Sequence, residues 1–443
     1  MSEPVPLSVV IVGAGPAGLY AADALLRKPQ PCRIDILDKL PTPYGLVRAG
    51  VAPDHQSAKN VINVFDRILQ KPEVRLLGNV GFGNDVTYDE LKSLYDVVIL
   101  AIGAQVPRRL HILGESLFGA VESTTFVDWY NAVPGSLDLS REVDAKAAVV
   151  IGVGNVALDI ARLLAKTADE MATTDIDLAA AAAIVAAPLS DIYVIGRRGP
   201  MQAAFTAPEL KELGQLEEAV PVVAAECLAL SDEGVANKDR RKREKNREIL
   251  RSYADADVAA DPRPVKVHLM FCASPVEILG EDRVTGVRLE RTRLEGGRAV
   301  PTGETFEIEA QLFVSAIGYR AVGGEGGPPI DEARGIVRNQ GGRIEAGAYV
   351  VGWARRGPTG VIGTNRNDAR EVVDLILADG VAAGENSGSE ALNALLAARD
   401  VAVTTYEDWK RIDAAEIAAG EGQRPRTKFT EIDAMLAVAR KYD

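Results

Sequence analysis

Cysteine is scarce in this chain. Only Cys32, Cys227 and Cys272 occur among 443 residues, and no two are near neighbours in sequence. A disulfide scaffold, a CxxC redox pair and a CxxC-type zinc or iron–sulfur site are thereby excluded, and no metal site is expected. Positive charge is short as well: 50 Lys+Arg against 63 Asp+Glu leave −13 at neutral pH. That sign does not suit wholesale binding to nucleic acid or to an anionic membrane, although it leaves room for a local basic patch. Long apolar runs are missing. The longest, Leu178 to Leu189, is mostly alanine, is broken by Pro188 and is too short to span a bilayer, so an Ala-rich helix inside a globular domain is expected. The first apolar run, Val9 to Val12, follows no basic segment and ends in a glycine turn, so no signal peptide is expected and a reducing cytoplasm is the expected compartment. What is present is ordinary: 47% hydrophobic and 26% charged residues speak against large-scale disorder. At roughly 150 residues per domain the length suggests two or three domains.

A strand-like run, Leu7 to Val12, leads into Gly13-Ala14-Gly15-Pro16-Ala17-Gly18 and then into a helical pattern, Leu19 to Leu26. This is GxGxxG in the strand–turn–helix setting that gives it meaning. The first glycine permits the tight turn, the second lets backbone approach a pyrophosphate, and the third lets helix pack on strand. The helix start offers unpaired N–H groups and a positive dipole end to the phosphates. A second apolar run, Arg33 to Leu37, ends at Asp38, 20 residues beyond Gly18, where a carboxylate can accept hydrogen bonds from a ribose hydroxyl.

The pattern recurs with a difference. Ala147 to Ile151 runs into Gly152-Val153-Gly154-Asn155-Val156-Ala157, a GxGxxA variant, and then into a helical run ending near Lys166. The next strand, Ile192 to Ile195, ends in Gly196-Arg197-Arg198 instead of an acid. A carboxylate there would repel a 2′-phosphate, whereas paired guanidiniums bind it with forked hydrogen bonds. The first site therefore reads as FAD or NAD, the second as NADP(H). The unusually long spacing between Ala157 and Arg197 is expected to come from an extension of the crossover helix and its loop, about Thr167 to Leu189.

Two further runs are alike, Val97 to Gly103 and Leu312 to Gly318; each is a buried strand ending in Ala-Ile-Gly, and they bracket the second glycine turn. The expected architecture is α/β, with two Rossmann-like dinucleotide-binding domains, the NADP domain inserted in the FAD domain. The expected boundaries are 1–105 for the first part of the FAD domain, 106–319 for the NADP domain, and 320–443 for the rest of the FAD domain with a C-terminal helical tail. That tail reads as helical from Ser389 to Ala398 and around Glu431 to Ala439, packed on the FAD domain. Beyond Gly352, the segment Trp353 to Thr364 is another glycine-bearing turn ahead of a helical pattern, Asp368 to Leu377. In a flavoprotein, such a helix start beside the pyrimidine side of the ring stabilises the reduced, anionic flavin.

Together these pieces resemble a ferredoxin–NADP reductase of the adrenodoxin-reductase type, from near Val9 to about Leu377. The most specific stretches are Pro43 to His55, Gly154 to Asp159, Gly196 to Pro200 and Gly352 to Gly363. The resemblance implies FAD contacts at Ala14, Asp38, Leu46, Val80, Trp353 and Gly360, Val361 and Ile362. It implies NADP contacts at Gly154, Asn155, Val156, Ala157, Arg197, Arg198, Glu209 and Gly360. Many members of that family carry Glu where this chain has Asp38, which keeps the carboxylate with a shorter reach. Neither Leu178 to Leu189 nor the glycine-rich stretch Gly323 to Gly327 matches the family pattern.

The implied chemistry is hydride transfer from NADPH to flavin N5, followed by single-electron transfer to a ferredoxin. No Cys cluster in this chain could hold a second redox centre, so the electrons must leave to an external acceptor. His55 and Asp159 are the polar residues expected beside the ring, as a pair that positions nicotinamide or manages a proton; a purely structural hydrogen bond between them is the alternative. Lys238 to Arg251 holds eight Lys or Arg and three Asp or Glu, a local +5. Arg240, Arg243, Arg247 and Arg251 recur at helical spacing, and an acidic ferredoxin docking on Arg240, Arg243 and Arg247 is expected. A solvated helix surface is the alternative there; no nucleic-acid or membrane partner is expected. An NADPH diaphorase or quinone reductase without a dedicated protein partner is the rival enzyme reading, and a nucleotide-binding scaffold without turnover is the non-enzyme one.

Overall fold

The computed structural model describes residues 5–229, 231–321, 327–384 and 388–440. Of the stretch Gly323 to Gly327, only Gly327 is among the described residues. Contacts divide the chain into two compact units. One comprises Met1–Val106, Asn131–Gly135 and Gly318–Asp443; the other comprises Pro107–Tyr130 and Ser136–Ile317. Asn131–Gly135, in a stretch expected to belong wholly to the NADP domain, groups with the first unit. A buried Lys428 ammonium holds it there, donating to the Asn131 backbone oxygen at 3.2 Å and to its Oδ1 at 3.3 Å.

The first unit is built on a six-stranded sheet in the order Arg343–Glu345, Ala348–Val350, Val97–Leu100, Leu7–Val12, Cys32–Leu37, Val74–Leu77. Every pairing is parallel except the antiparallel edge hairpin Arg343–Glu345 with Ala348–Val350. Leu7–Val12 and Val97–Leu100 are buried almost throughout because a parallel sheet is covered on both faces. On one face lie helices Pro16–Leu26 and Thr364–Ala378, which pack on each other. The tail contributes Trp409, Ile412, Met435 and Ala439 to the same core. Ser389–Ala398 is helical as the pattern predicts, and Ile432–Ala439 follows within a residue of its expected start. Between them lies a helix the pattern did not disclose, Tyr406–Ala419. Its signal was Thr405-x-x-Asp408, a reciprocal capping box.

The second unit has a six-stranded sheet, Ala120–Glu122, Leu312–Ser315, Ala147–Ile151, Asp191–Gly196, Val265–Phe271, Ala219–Val223, all parallel. An antiparallel three-stranded sheet, Ala273–Leu279, Gly286–Glu295 and Arg298–Glu309, is added to it in sequence. The crossover helix Asn155–Leu164 is not extended by the following segment, contrary to expectation. Thr167 caps a new helix, Ala168–Ala172, through a box with Glu170. Asp177 then caps Leu178–Ala186, its Oδ1 accepting the Ala180 N–H at 2.9 Å. Two N-cap residues so close together restart the backbone rather than prolong one helix, and the approach to Pro188 stops the second. Among the described residues, no helix is long and apolar enough to cross a membrane.

Candidate functional site

The two glycine turns are built alike. Gly13 has φ +113° and Gly152 has φ +138°, both beyond what an L side chain readily adopts. A Cβ on Gly13 would lie 2.5 Å from the Ala101 carbonyl oxygen, and one on Gly152 would lie 2.3 Å from that of Ala316. The Ala101 N–H donates to Val12 at 2.8 Å, and the Ala316 N–H donates to Ile151 at 2.7 Å. The two Ala-Ile-Gly runs thus stand in the same place, directly against the turn and following the strand that pairs with the one leading into it. In each unit the turn lies at the carboxyl end of the strands where the strand order reverses, the place at which open α/β sheets take their ligands. Gly18 has the packing role: a Cβ would meet the Gly13 oxygen at 2.0 Å. In the second unit Ala157 takes that position and is buried in the core. No side chain caps Pro16–Leu26 or Asn155–Leu164. Their first-turn N–H groups are therefore available to an anion.

In the first unit, Asp38 Oδ2 accepts the Ala14 N–H at 2.9 Å and Oδ1 accepts the Leu40 N–H at 3.1 Å. Burial raises the Asp38 carboxyl above its usual range, against the opposing pull of the Leu40 and Ala14 N–H groups and the Lys39 charge. A carboxylate has about four acceptor positions, so two such bonds leave room for a ribose hydroxyl. The Val80 N–H donates to the Asp38 carbonyl at 2.8 Å, which places that residue against the acid. The loop from Pro43 is bound to the same turn. The Tyr44 N–H donates to Ala14 at 2.9 Å, and a Cβ on Gly45 would meet the Gly15 Cα at 2.9 Å. Tyr44 itself sits at φ +82° and is fully buried. Its hydroxyl is held by Asp66 and by the Trp409 indole N–H. A tyrosine held in that conformation marks a locally strained segment, and strain of this kind gathers at ligand clamps.

Two large apolar side chains assigned to the flavin are exposed, Leu46 at 47% and Val361 at 62%. Val361 lies in the turn leading into the uncapped helix Thr364–Ala378. Trp353 is half-buried, stacks on Tyr319 at 6.2 Å and 15°, and donates its indole N–H to Thr359 at 3.2 Å. Gly360 and Ile362 complete the same turn. Exposed apolar side chains, a carboxylate with spare acceptor sites and an uncapped helix start suit an FAD.

In the second unit the Asn155 amide is fixed at both ends. Its Oδ1 accepts the Thr206 N–H at 2.9 Å, and its Nδ2 donates to Glu209 Oε1 at 3.1 Å. The other Glu209 oxygen is buried and has no hydrogen-bond partner among the described residues. Such an acceptor is costly to leave unmet, and a ribose hydroxyl or amide would satisfy it. A Cβ on Gly154 would meet nothing within 4 Å, so the turn faces open space; Val156 follows it on the helix. Arg197 and Arg198 are exposed, and no carboxylate pairs with either among the described residues. Their backbone is anchored: Thr292 Oγ1 donates to the Arg197 carbonyl at 2.7 Å and the Cys272 N–H to that of Arg198 at 3.1 Å. These features suit an NADP(H).

His55 and Asp159 belong to different units. His55 is half-buried at the end of the Pro43 loop, its carbonyl accepting the Ala58 N–H at 3.1 Å. Asp159 is buried and pairs at 2.9 Å with Arg162, which is 1% exposed and also reaches Glu212 at 3.3 Å. That group joins the NADP helix to Ala207–Leu213.

The basic stretch forms helix Asn237–Ala254. Lys238, Arg240, Arg241, Lys242 and Lys245 are exposed, whereas Arg243 and Arg247 are half-buried. Arg240 pairs with Asp232 at 2.7 Å and Arg247 with Glu244 at 2.8 Å.

Comparison with known proteins places the chain among characterised relatives. Residues 7–194 match the family model described as pyridine nucleotide-disulphide oxidoreductase. The chain is 40% identical to the mitochondrial NADPH:adrenodoxin oxidoreductase of Arabidopsis thaliana, covering 98% of this chain and 95% of that protein. It is also 40% identical to the NADPH-ferredoxin reductase FprA of Mycobacterium tuberculosis, covering 98% and 99%. The solved structure of FprA that revealed a covalent modification of NADP+ superposes with a TM-score of 0.92 at 39% identity, covering 98% of this chain and all of that one.

Proposed function

The chain belongs to the family of NADPH:adrenodoxin and NADPH-ferredoxin reductases, and we infer from its two glycine turns how it divides that family's task. It is an FAD-containing oxidoreductase with NADP(H) as its second cofactor, working with a ferredoxin-type one-electron carrier. Bound FAD supplies the step-down from a hydride, taken from NADPH, to single electrons. One observation carries the division: the same turn is followed by a carboxylate in the first unit and by two guanidiniums in the second. Asp38 accepts from the hydroxyls of an unphosphorylated ribose; Arg197 and Arg198 require an added phosphate.

The remaining assignments follow from chemistry. Gly13 to Gly18 and the start of Pro16–Leu26 receive the FAD pyrophosphate; Leu46, Val80, Trp353 and Gly360 to Ile362 enclose the rest of that cofactor. Gly152, Gly154 and the helix from Asn155 through Val156 and Ala157 receive the NADP(H) pyrophosphate, with Glu209 accepting from a ribose or amide donor. His55, at the end of the loop clamped to the FAD turn, manages a proton there; Asp159 orients the NADP helix through Arg162. The solvent face of Asn237–Ala254, with Arg240 at its border, attracts an acidic carrier, supported by its excess of positive charge in a chain of net −13. The three free cysteines suit a reducing compartment such as the cytoplasm.

Stopped-flow mixing of the purified, flavin-containing protein with NADPH and with NADH tests this reading. NADPH is expected to bleach the flavin band rapidly, NADH barely, and added ferredoxin to sustain turnover. A colourless protein, or equal rates with the two nucleotides, would overturn it.

A further inference from the structure

We propose that Arg243 is the third member of the clamp for the NADP(H) 2′-phosphate, with Arg197 and Arg198, rather than part of the carrier-docking face. The proposal rests on the reading of the second unit as the NADP(H) site. Helix Asn237–Ala254 buries a stripe of Asn246 and Leu250, flanked by half-buried Asp239, Arg243 and Tyr253. That spacing of three and four residues is one helix face. Lys238, Arg241, Lys242 and Lys245 point to solvent. Arg243 therefore stands on the protein side of the helix.

What lies on that side is the phosphate turn. The Phe205 carbonyl accepts from Asn246 Nδ2 at 3.0 Å and from Arg243 Nη1 at 3.5 Å. The N–H groups of Ala204 and Phe205 both donate to the Val153 carbonyl, at 2.7 and 3.1 Å, inside the Gly152–Asn155 turn. One short segment thus grips the turn with its N–H groups and holds Arg243 with its carbonyl. The helix also packs on Pro200–Gln202, which begins two residues after Arg198.

The charge balance points the same way. Arg240 and Arg247, one turn to either side, each have a carboxylate partner. Among the described residues Arg243 has none, and neither has Arg197 or Arg198. Burial and the nearby charges of Arg197 and Arg243 lower the Arg198 guanidinium below its usual range. Three neighbouring guanidiniums without a counterion repel one another in a protein that has acids to spare. A phosphomonoester, with about two negative charges and three acceptor oxygens, answers that arrangement, where a scattered set of carboxylates on a carrier does not.

The test is calorimetric titration of the FAD-loaded protein with 2′,5′-ADP and with 5′-AMP, beside ferredoxin binding at low salt. In Arg243→Met, the dissociation constant for 2′,5′-ADP is expected to rise roughly 10- to 100-fold, the size of one lost charge-assisted hydrogen bond, with ferredoxin affinity within about twofold. Arg243→Lys, which keeps the charge but loses the fork, is expected to recover part of the loss. Unchanged 2′,5′-ADP binding in Arg243→Met overturns the proposal, and so does loss of both ligands with FAD content intact. If instead the unsubstituted protein binds 2′,5′-ADP no better than 5′-AMP, the assignment of the second unit fails, and the proposal with it.

Discussion

Glu416 grips the guanidinium of Arg48 with two hydrogen bonds, of 2.6 and 2.8 Å, across a sequence separation of 368 residues. The Phe429 N–H donates to the same carboxylate at 3.1 Å, Arg426 reaches it at 3.3 Å, and Arg48 lies 5.1 Å over the Trp409 ring. The pair ties the C-terminal helices to the Pro43–His55 loop, and so to the clamp around the first glycine turn.

Glu416→Gln leaves the buried Arg48 guanidinium short of a counterion, whereas Arg426 keeps Asp413 at 2.6 Å. Removing one partner of such a pair costs about 3–5 kcal/mol, so a clear drop in urea midpoint is expected. The pH dependence has a definite sign. Burial alone would raise Glu416, but the Arg48 charge and hydrogen bonds, the Phe429 N–H and Arg426 outweigh it and hold the carboxyl below its ordinary 4.5. As pH falls, the unfolded chain takes up this proton first. The contribution is therefore complete above about pH 4.5 and is lost as pH falls through the lowered, folded-state value. Urea unfolding between pH 6 and 3 is expected to show a shallower acid decline in Glu416→Gln than in the parent; equal slopes would remove Glu416 from the account.

Asp38→Asn replaces an acceptor-only carboxylate with an amide that must present one donor end. The Ala14 and Leu40 N–H groups and a ribose hydroxyl then compete for fewer acceptor positions. Reconstitution of apoprotein with FAD, followed by flavin fluorescence, is expected to give a dissociation constant about 10-fold higher or more, with NADP+ binding unchanged. A value within twofold of the parent would show that the carboxylate only braces the turn.

His55→Gln is expected to slow flavin reduction by NADPH about 10-fold or more, with FAD content retained. An unaltered rate makes His55 a structural residue. Asp159→Asn needs a second readout, because it also weakens the ion pair of the buried Arg162. Its melting temperature is expected to fall along with the rate, whereas that of His55→Gln is expected to hold.

Docking through the exposed basic helix face predicts a salt effect specific to the protein carrier. Ferredoxin reduction is expected to decline steeply as ionic strength rises toward 0.2 M, where the screening length is under about 10 Å, while dye reduction changes little. Lys245→Glu and Arg241→Glu are expected to flatten that dependence. A parallel decline with both acceptors would place the salt effect in nucleotide binding.

Both glycine turns and the strands before them were legible in sequence, because turns this tight demand local geometry that few residues permit. Helix Tyr406–Ala419 was missed although its Thr405–Asp408 box was there to be read. The crossover helix does not run on past Leu164 because Thr167 and Asp177 cap new helices there. These caps are local signals, written within three residues of each helix start.

Other features have no local signal at all. Nothing in the order of residues places Ala101 against Gly13 and Ala316 against Gly152, or fastens Glu416 to Arg48; strand order and tail packing decide them. The basic helix is the sharpest case. Sequence determined that Lys238 to Arg251 is charged and helical, and its spacing put four arginines in one row. Which way that row faces was settled by the burial of Asn246 and Leu250, since burying apolar surface and giving a buried amide N–H its acceptor fix a helix's rotation more firmly than exposed charges can.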